Sequence, residues 1–129
     1  MKSTVNEAEL SVVTIIDNLI KQAIIARASD IHLEPTVAHL RVRYRIDGVL
    51  QDQKPISVMH AAHSVSRIKV LARMNIAEKR IPQDGMFSSA HAHQRIDFRV
   101  SSFPTLHGEK MVIRILDRQS YAIDMDKLG

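Results

Sequence analysis

Cysteine is absent from this 129-residue chain, which excludes disulfides and thiolate-held zinc. Glycine occurs only as Gly48, Gly85, Gly108 and Gly129, and no GxxxxGK[ST] phosphate loop can be drawn through those positions. No serine sits in a GxSxG elbow and no HExxH occurs. Aromatic residues make up 4% and tryptophan is missing, so the stacking platforms of a single-strand nucleic-acid binder are scarce. No apolar run approaches the roughly 20 residues of a membrane span. The opening MKSTVNEAEL lacks the apolar core of a secretory signal and runs directly into a helical pattern. These absences leave no visible catalytic residue and no metal site, and they are compatible with a cytoplasmic setting.

What remains is a globular composition, 45% hydrophobic and 25% charged, of a size for one domain with a real core. The net charge of +4, with seven histidines in reserve, suits an anionic partner such as a nucleotide, a nucleic acid or an acidic lipid. Charge alone does not choose among them.

Periodicity supplies the elements. Residues 7 to 27 read as an amphipathic helix with Val12, Ile16, Leu19, Ile20 and Ala23 on one face, and Asp17 and Lys21 as an i,i+4 pair on another. DIHLEP (30–35) alternates and reads as a strand, as do residues 38 to 46. Asp47-Gly48 makes a two-residue turn into VLQDQ. That register sets Arg45 opposite Leu50, Arg43 opposite Asp52 and Arg41 opposite Lys54, so Arg43 gains a carboxylate while Arg45 has none from this hairpin. Ser57 is expected to cap a second helix running to about Met74, with Val58, Ala62, Val65, Ile68 and Ala72 buried. KRIPQDG (79–85) reads as a turn region with its bend at Asp84-Gly85. A short strand near 86–90, a polar HAHQ connection, RIDFRVSSF (95–103) with Ile96, Phe98 and Val100 inward, an LHGEK turn and MVIRIL (111–116) follow. From Asp117 the pattern is lost, as in a linker. The expected class is α+β: a mostly antiparallel sheet of about six strands with helices packed on one face.

Candidate sites are few. His91 with His93, and His60 with His63, have metal-ligand spacing, but no third ligand is evident for either pair and both read as surface histidines. His32, framed by Asp30 and Glu34, has the form of a general base with orienting carboxylates, yet no nucleophile accompanies it. A helix–strand junction held by hydrogen bonds explains the trio better. The arginines are harder to set aside. RVRYRIDGVL places Arg41, Arg43 and Arg45 along one strand face, where like charges repel. Arg43, Arg45, Arg67, Arg80, Arg99 and Arg114 all fall on elements that neighbour one sheet. Guanidinium groups fit phosphate oxygens and stay charged at any relevant pH. Spacing does not decide between a phosphate-facing array and separate salt bridges.

ASDIHLEP (28–35), RVRYRIDGVL (41–50), SRIKVLARMNIAEKRIPQDG (66–85) and IDFRVSSFPTLHGEKMVIRILD (96–117) together resemble the secretion-type ATPases. That family comprises the type II secretion and type IV pilus assembly ATPases, GspE/PilB-like. The resemblance covers roughly residues 10 to 129, in several blocks in the right order. It implies the PAS-like N-terminal (N2) domain that precedes the motor: residues 1–117 as that domain and 118–129 as the start of a linker to a P-loop motor domain. It further implies a hexameric ring, with nucleotide lying between this domain and the P-loop domain. By position, Arg43, Arg45, Arg80 and Arg99 are the arginines that approach the phosphates, sensing the γ-phosphate and coupling it to domain rotation. Asp30, His32 and Glu34 carry over as structural and interfacial, as do Asp47, Gly48, Asp84 and Gly85. ATP and Mg belong to the parent protein and no cofactor to this stretch. The implied partners are the motor domains of its own and neighbouring subunits, an inner-membrane platform protein and the secretion or pilus machinery, with no nucleic acid. The implied setting is cytoplasmic, peripheral to the inner membrane. Met86 follows QDG where many members have arginine, so one phosphate or interface contact is expected to be missing. The competing expectation is a PAS-like sensor that binds a nucleotide or small molecule in a cleft.

Overall fold

The structure, a computed structural model, describes residues 4–120, with side chains described over 11–116. Its elements run α1 (Thr4–Ile25), β1 (Asp30–Pro35), β2 (His39–Ile46), β3 (Val49–Asp52), β4 (Ile56–Ser57), α2 (Val58–Leu71), β5 (Gln83–His91), β6 (Gln94–Thr105) and β7 (Gly108–Ser120). The sheet is antiparallel throughout, in the order β3-β2-β1-β7-β6-β5, with the short β4 added beside β2. The class is therefore α+β, with seven strands rather than about six because β4 forms a separate two-residue strand.

Hairpins build two halves, β1-β2-β3 and β5-β6-β7, and the pairing of β1 with β7 joins them. Tight turns set the local registers. Asp47 and Gly48 both have positive φ, 51° and 80°, the backbone a two-residue hairpin turn of this hand requires. Ala92 and His93 do the same between β5 and β6, with φ of 50° and 65°, so the HAHQ connection is a tight hairpin turn made without glycine.

Alternation then sorts the sheet into two faces. Ile31 and Leu33, Leu40, Val42 and Tyr44, Ile96, Phe98 and Val100, and Met111 and Ile113 are buried and form one cluster with both helices. From α1 that cluster takes Val12, Ile16, Leu19, Ile20 and Ala23, the full stripe expected from the sequence. Tyr44 ties strand to helix by donating its hydroxyl to the Leu19 carbonyl at 2.7 Å.

Helix α2 meets expectation in its second half: Ile68 and Ala72 are buried and Val65 packs against the core, whereas Val58 is 65% exposed and Ala62 is exposed, and Ser64 and Lys69 are buried. Lys69 turns inward to pair with Glu109, a partner distant in sequence. Ser57 occupies the N-cap position, but its side chain makes no capping bond. Both helices also stop short of the expected 27 and 74. Arg27 and Arg73 adopt left-handed φ of 59° and 57°, and Ala28 N–H to Ala23 O (2.9 Å) and Met74 N–H to Lys69 O (2.8 Å) close the ends in a Schellman pattern. Glycine usually marks that position, so two arginines there hid both stops.

The bend expected at Asp84-Gly85 is not a bend. Both residues lie inside β5, which pairs with β6 from Gln83 to His91. Glycine is needed there for close approach: a Cβ on Gly85 would come within 2.9 Å of Ala72 Cβ and Met74 Cγ, and closer still to the Ala72 carbonyl oxygen. At the other end, β7 continues to Ser120, so residues 118–120 of the expected linker pair with β6, and 121–129 lie outside the described residues. Since the backbone at Ala72 or at Gly85 must shift to admit a methyl group, Gly85→Ala is expected to destabilise the chain by about 1–3 kcal/mol. An unchanged midpoint in urea unfolding would contradict this packing.

Candidate functional site

With the helices covering one face, the opposite face of the sheet carries the charge. Its central row is fixed by register: Leu50, Arg45, Asp30, Arg114, Arg99 and Met86 lie side by side across β3, β2, β1, β7, β6 and β5. A second row beside it runs Asp52, Arg43, His32, Val112, Ser101 and Asp84. Neighbouring strands lie about 4.8 Å apart, so Arg45 to Arg99 spans about 14 Å. The sequence-nominated Arg43, Arg45 and Arg99 thus share one surface. Arg114, noted in the sequence but not among the expected phosphate contacts, sits between them.

Asp30 anchors this row. Its side chain is 6% exposed, and it accepts from Ser29 Oγ at 2.8 Å and from Arg114 Nε at 3.0 Å, with Arg45 Nε at 3.5 Å. Burial alone would raise its pKa, but the Ser29 hydroxyl and the Arg114 guanidinium outweigh that and hold it below the ordinary carboxylate value. Arg45 also donates from Nη1 to the Gly48 carbonyl of its own turn at 3.0 Å.

Asp30 meets Arg45 and Arg114 straight across the register, while the salt bridges of Arg41 and Arg43 fall on diagonals. Arg41 takes Asp52 in a bidentate contact (2.8 and 3.1 Å), and Arg43 reaches Glu34 at 3.3 Å. The expectation that Arg43 pairs with Asp52, and that Arg41 faces only Lys54, is therefore corrected. Arginine is long enough to meet a diagonal neighbour, and strand twist favours that reach. Arg43 Nε stays buried without a hydrogen-bond partner among the described residues.

Arg99 differs from the others. It stands directly opposite Arg114 on one side and Met86 on the other. The adjacent carboxylates are already engaged: Asp97 with Arg95 at 3.3 Å and Asp84 with the Ser101 hydroxyl at 2.8 Å. Among the described residues Arg99 enters no ion pair and no side-chain hydrogen bond. Two like charges directly across a strand pair destabilise a sheet, so the chain itself gains nothing from this arrangement. Met86, where the sequence departs from the family pattern it resembles, falls on the same row, and an arginine there would extend the basic run to the sheet edge.

Arg80 is placed elsewhere. It lies in the segment between α2 and β5, with its side chain 89% exposed and its Nε 3.4 Å from Glu78 Oε1. Nothing brings it onto the row. His32 sits on the charged face between Asp30 and Glu34, with its Nδ1 buried and unpartnered among the described residues. Burial depresses its pKa, and Lys110, Arg45 and Arg43 push the same way against the opposing pull of Asp30. A pKa lowered in this way favours the neutral imidazole. Ser89 Oγ and His91 Nε2 lie 3.0 Å apart, and among the described residues no group of three or more His, Cys, Asp or Glu gathers to hold a metal. No helix among them is long and apolar enough to cross a membrane.

Both His32 and Asp30 have folded pKa values below their unfolded ones. Their stabilisation is complete above the unfolded values and is lost as pH falls through the folded ones. For His32 the window opens below its ordinary 6.5. The urea midpoint is therefore expected to fall between pH 7.5 and 5, and His32→Gln to flatten that fall. An equal fall in the variant would show that His32 is not the group responsible.

Comparison with known proteins gives the relatives of this fold and face. The family model described as type II/IV secretion system protein matches residues 5–129. The chain is 49% identical over 119 residues to the type II secretion system protein HxcR of Pseudomonas aeruginosa, covering 92% of this chain and 25% of that protein. It is 44% identical over 122 residues to the type II secretion system protein E of Xanthomonas campestris pv. campestris, covering 95% of this chain and 22% of that protein. It is 46% identical over 122 residues to the type IV pilus assembly ATPase PilB of Acinetobacter baylyi, covering 94% of this chain and 21% of that protein. The chain thus spans about a quarter of the length of the curated relatives it matches.

Proposed function

Because the chain belongs to the type II/IV secretion system protein family, we propose that it is the non-catalytic, nucleotide-facing module of a hexameric ATPase that powers type II secretion or type IV pilus assembly. The charged sheet face supplies guanidinium groups to the phosphates of ATP held by a P-loop motor domain. Arg99 and Arg45 lead, Arg114 continues their row, Arg43 assists from beside it, and Arg80 assists from the loop between α2 and β5. The observation that carries this reading is Arg99: a strand arginine opposite another arginine, with no carboxylate of its own among the described residues. An anion brought from outside turns that repulsion into attraction.

The residues fit phosphate and not its metal. The carboxylates on this face, Asp30, Glu34, Asp52, Asp84 and Asp97, are each engaged by a donor in the chain, so Mg bound with ATP belongs to the motor domain. What this module adds is positioning and charge neutralisation, the main needs of phosphoryl transfer. The contact exists only when the two domains close on nucleotide, so it biases a hinge. The module works on the cytoplasmic side, at the inner membrane through partner proteins: neighbouring subunits, a membrane platform protein and the secretion or pilus machinery. It binds no nucleic acid.

A second reading has one observation behind it. A cavity of about 560 Å³ opens on the helix side, among Ile15, Leu19, Tyr44, Pro55, Ile56 and His60, and a sensor would place its ligand there. A tight one-to-one complex of this chain with a free nucleotide, measured by calorimetry, would favour that reading.

Arg99→Gln separates function from structure. In this chain it is expected to leave stability within about 0.5 kcal/mol or to raise it, because a like-charge pair is relieved. In the full-length protein the same change is expected to lower ATP turnover on the order of 10²- to 10³-fold, the cost of losing one preorganised donor to developing charge. Full turnover and full transport in both Arg45→Ala and Arg99→Gln would overturn the proposal.

A further inference from the structure

A lysine is buried where a helix stripe calls for an apolar residue. Lys69, in the last turn of α2, is 1% exposed, and its Nζ lies 2.6 Å from Oε2 of Glu109, itself 6% exposed at the start of β7. That oxygen has no further hydrogen-bond partner among the described residues, so the ammonium is its compensation. Lys69 also donates to the carbonyls of Glu78 at 2.7 Å and of Asn75 at 3.4 Å. Gln83, at the start of β5, donates from Nε2 to the same two carbonyls at 2.9 and 3.0 Å, and its Oε1 accepts the Asn75 N–H at 2.8 Å.

The segment from Asn75 to Pro82 is thereby held from inside. Two of its carbonyls point inward onto two side-chain donors, and its side chains point out: Ile76 is 43% exposed and Ile81 56%. Glu78 Oε1 then accepts the backbone N–H of Arg80 at 2.8 Å and meets its Nε at 3.4 Å. The loop is a preset support with Arg80 at its tip. Replacing a buried ion pair by apolar residues of similar size is often neutral or stabilising, so stability is a poor reason for this pair. A single loop conformation is a better one, because a contact made by an ordered side chain avoids the entropy of immobilising it on binding.

We propose that Lys69 is a positioning residue for Arg80: with Glu109 and Gln83 it fixes the 75–82 loop so that Arg80 reaches a phosphate from a backbone already ordered. This rests on the phosphate-facing reading of the module and names the device that serves one of its arginines. It fixes the backbone that carries Arg80, the arginine off the sheet face.

The test uses Lys69→Met combined with Glu109→Gln, which removes both charges and leaves no buried ion unpaired. Hydrogen exchange on this chain is expected to show the amides of Asn75, Ala77 and Arg80 exchanging at least tenfold faster, with those of β1 and β7 unchanged. In the full-length protein, Arg80→Ala is expected to lower ATP turnover in the wild-type background and to have little further effect in the Lys69→Met/Glu109→Gln background. Unchanged exchange at those amides, or an Arg80→Ala effect of the same size in both backgrounds, overturns the proposal. If the double variant does not fold, Glu109→Gln alone must loosen residues 75–82 ahead of the sheet, and equal loosening of both overturns it. Should Arg80→Ala be silent while Arg99→Gln is not, Lys69 has no guanidinium to position and this proposal falls, with the phosphate-facing reading intact. Should both be silent, that reading falls first.

Discussion

One buried carboxylate joins the two halves of this fold. Asp30 lies at the start of β1, with Arg45 of one hairpin system on one side and Arg114 of the other, 84 residues away in sequence, on the other side. A carboxylate so placed must be compensated, and compensation comes from both halves at once. The β1–β7 seam then fixes which side chains stand together on the charged face. Shift that pairing by one residue and the arginines would turn into the core. The same carboxylate that completes the sheet therefore sets out the row Arg45, Arg114 and Arg99.

Asp30 also explains why the row is unbalanced. It serves two guanidinium groups and has nothing left for a third. Arg99 is left facing Arg114 with Asp97 and Asp84 engaged elsewhere. A surface organised for stability alone would place a carboxylate or a neutral residue there. Natural sequences carry such local conflicts mostly where function requires them, and the requirement proposed here is an anion from outside the described residues. Lys69 and Glu109 show a related arrangement on the other side of the sheet, where charge is buried to fix a shape rather than to add stability.

What could be read in the sequence was local. The α1 stripe from Val12 to Ala23, the strand DIHLEP and the hairpin at Asp47-Gly48 follow from short-range periodicity and turn chemistry, and the structure has all of them. What could not be read depends on distant partners. The burial of Lys69 depends on Glu109, the place of Gly85 on the backbone of Ala72, and the seam on residues with no local signal for each other. The partners of Arg41 and Arg43 escape the sequence for a geometric reason: a strand register gives opposite residues, and these two side chains choose diagonal ones. Arg43, Arg45 and Arg99 were legible as a group only through family resemblance. That Arg99 alone of the nominated arginines lacks a carboxylate among the described residues emerges only once β6 is set against β7. Arg114 carried one available signal, a charge inside an apolar strand, and it was passed over as a phosphate contact for want of a register.

The central claim is that this face meets a nucleotide phosphate, and the distance between the two is the direct measure of it. A structure of the full-length protein with a non-hydrolysable ATP analogue should place the Arg99 or Arg45 guanidinium about 3 Å from a γ-phosphate oxygen, in a charge-assisted hydrogen bond. The same face found open to solvent, or covered by protein with no phosphate near it, would contradict the account.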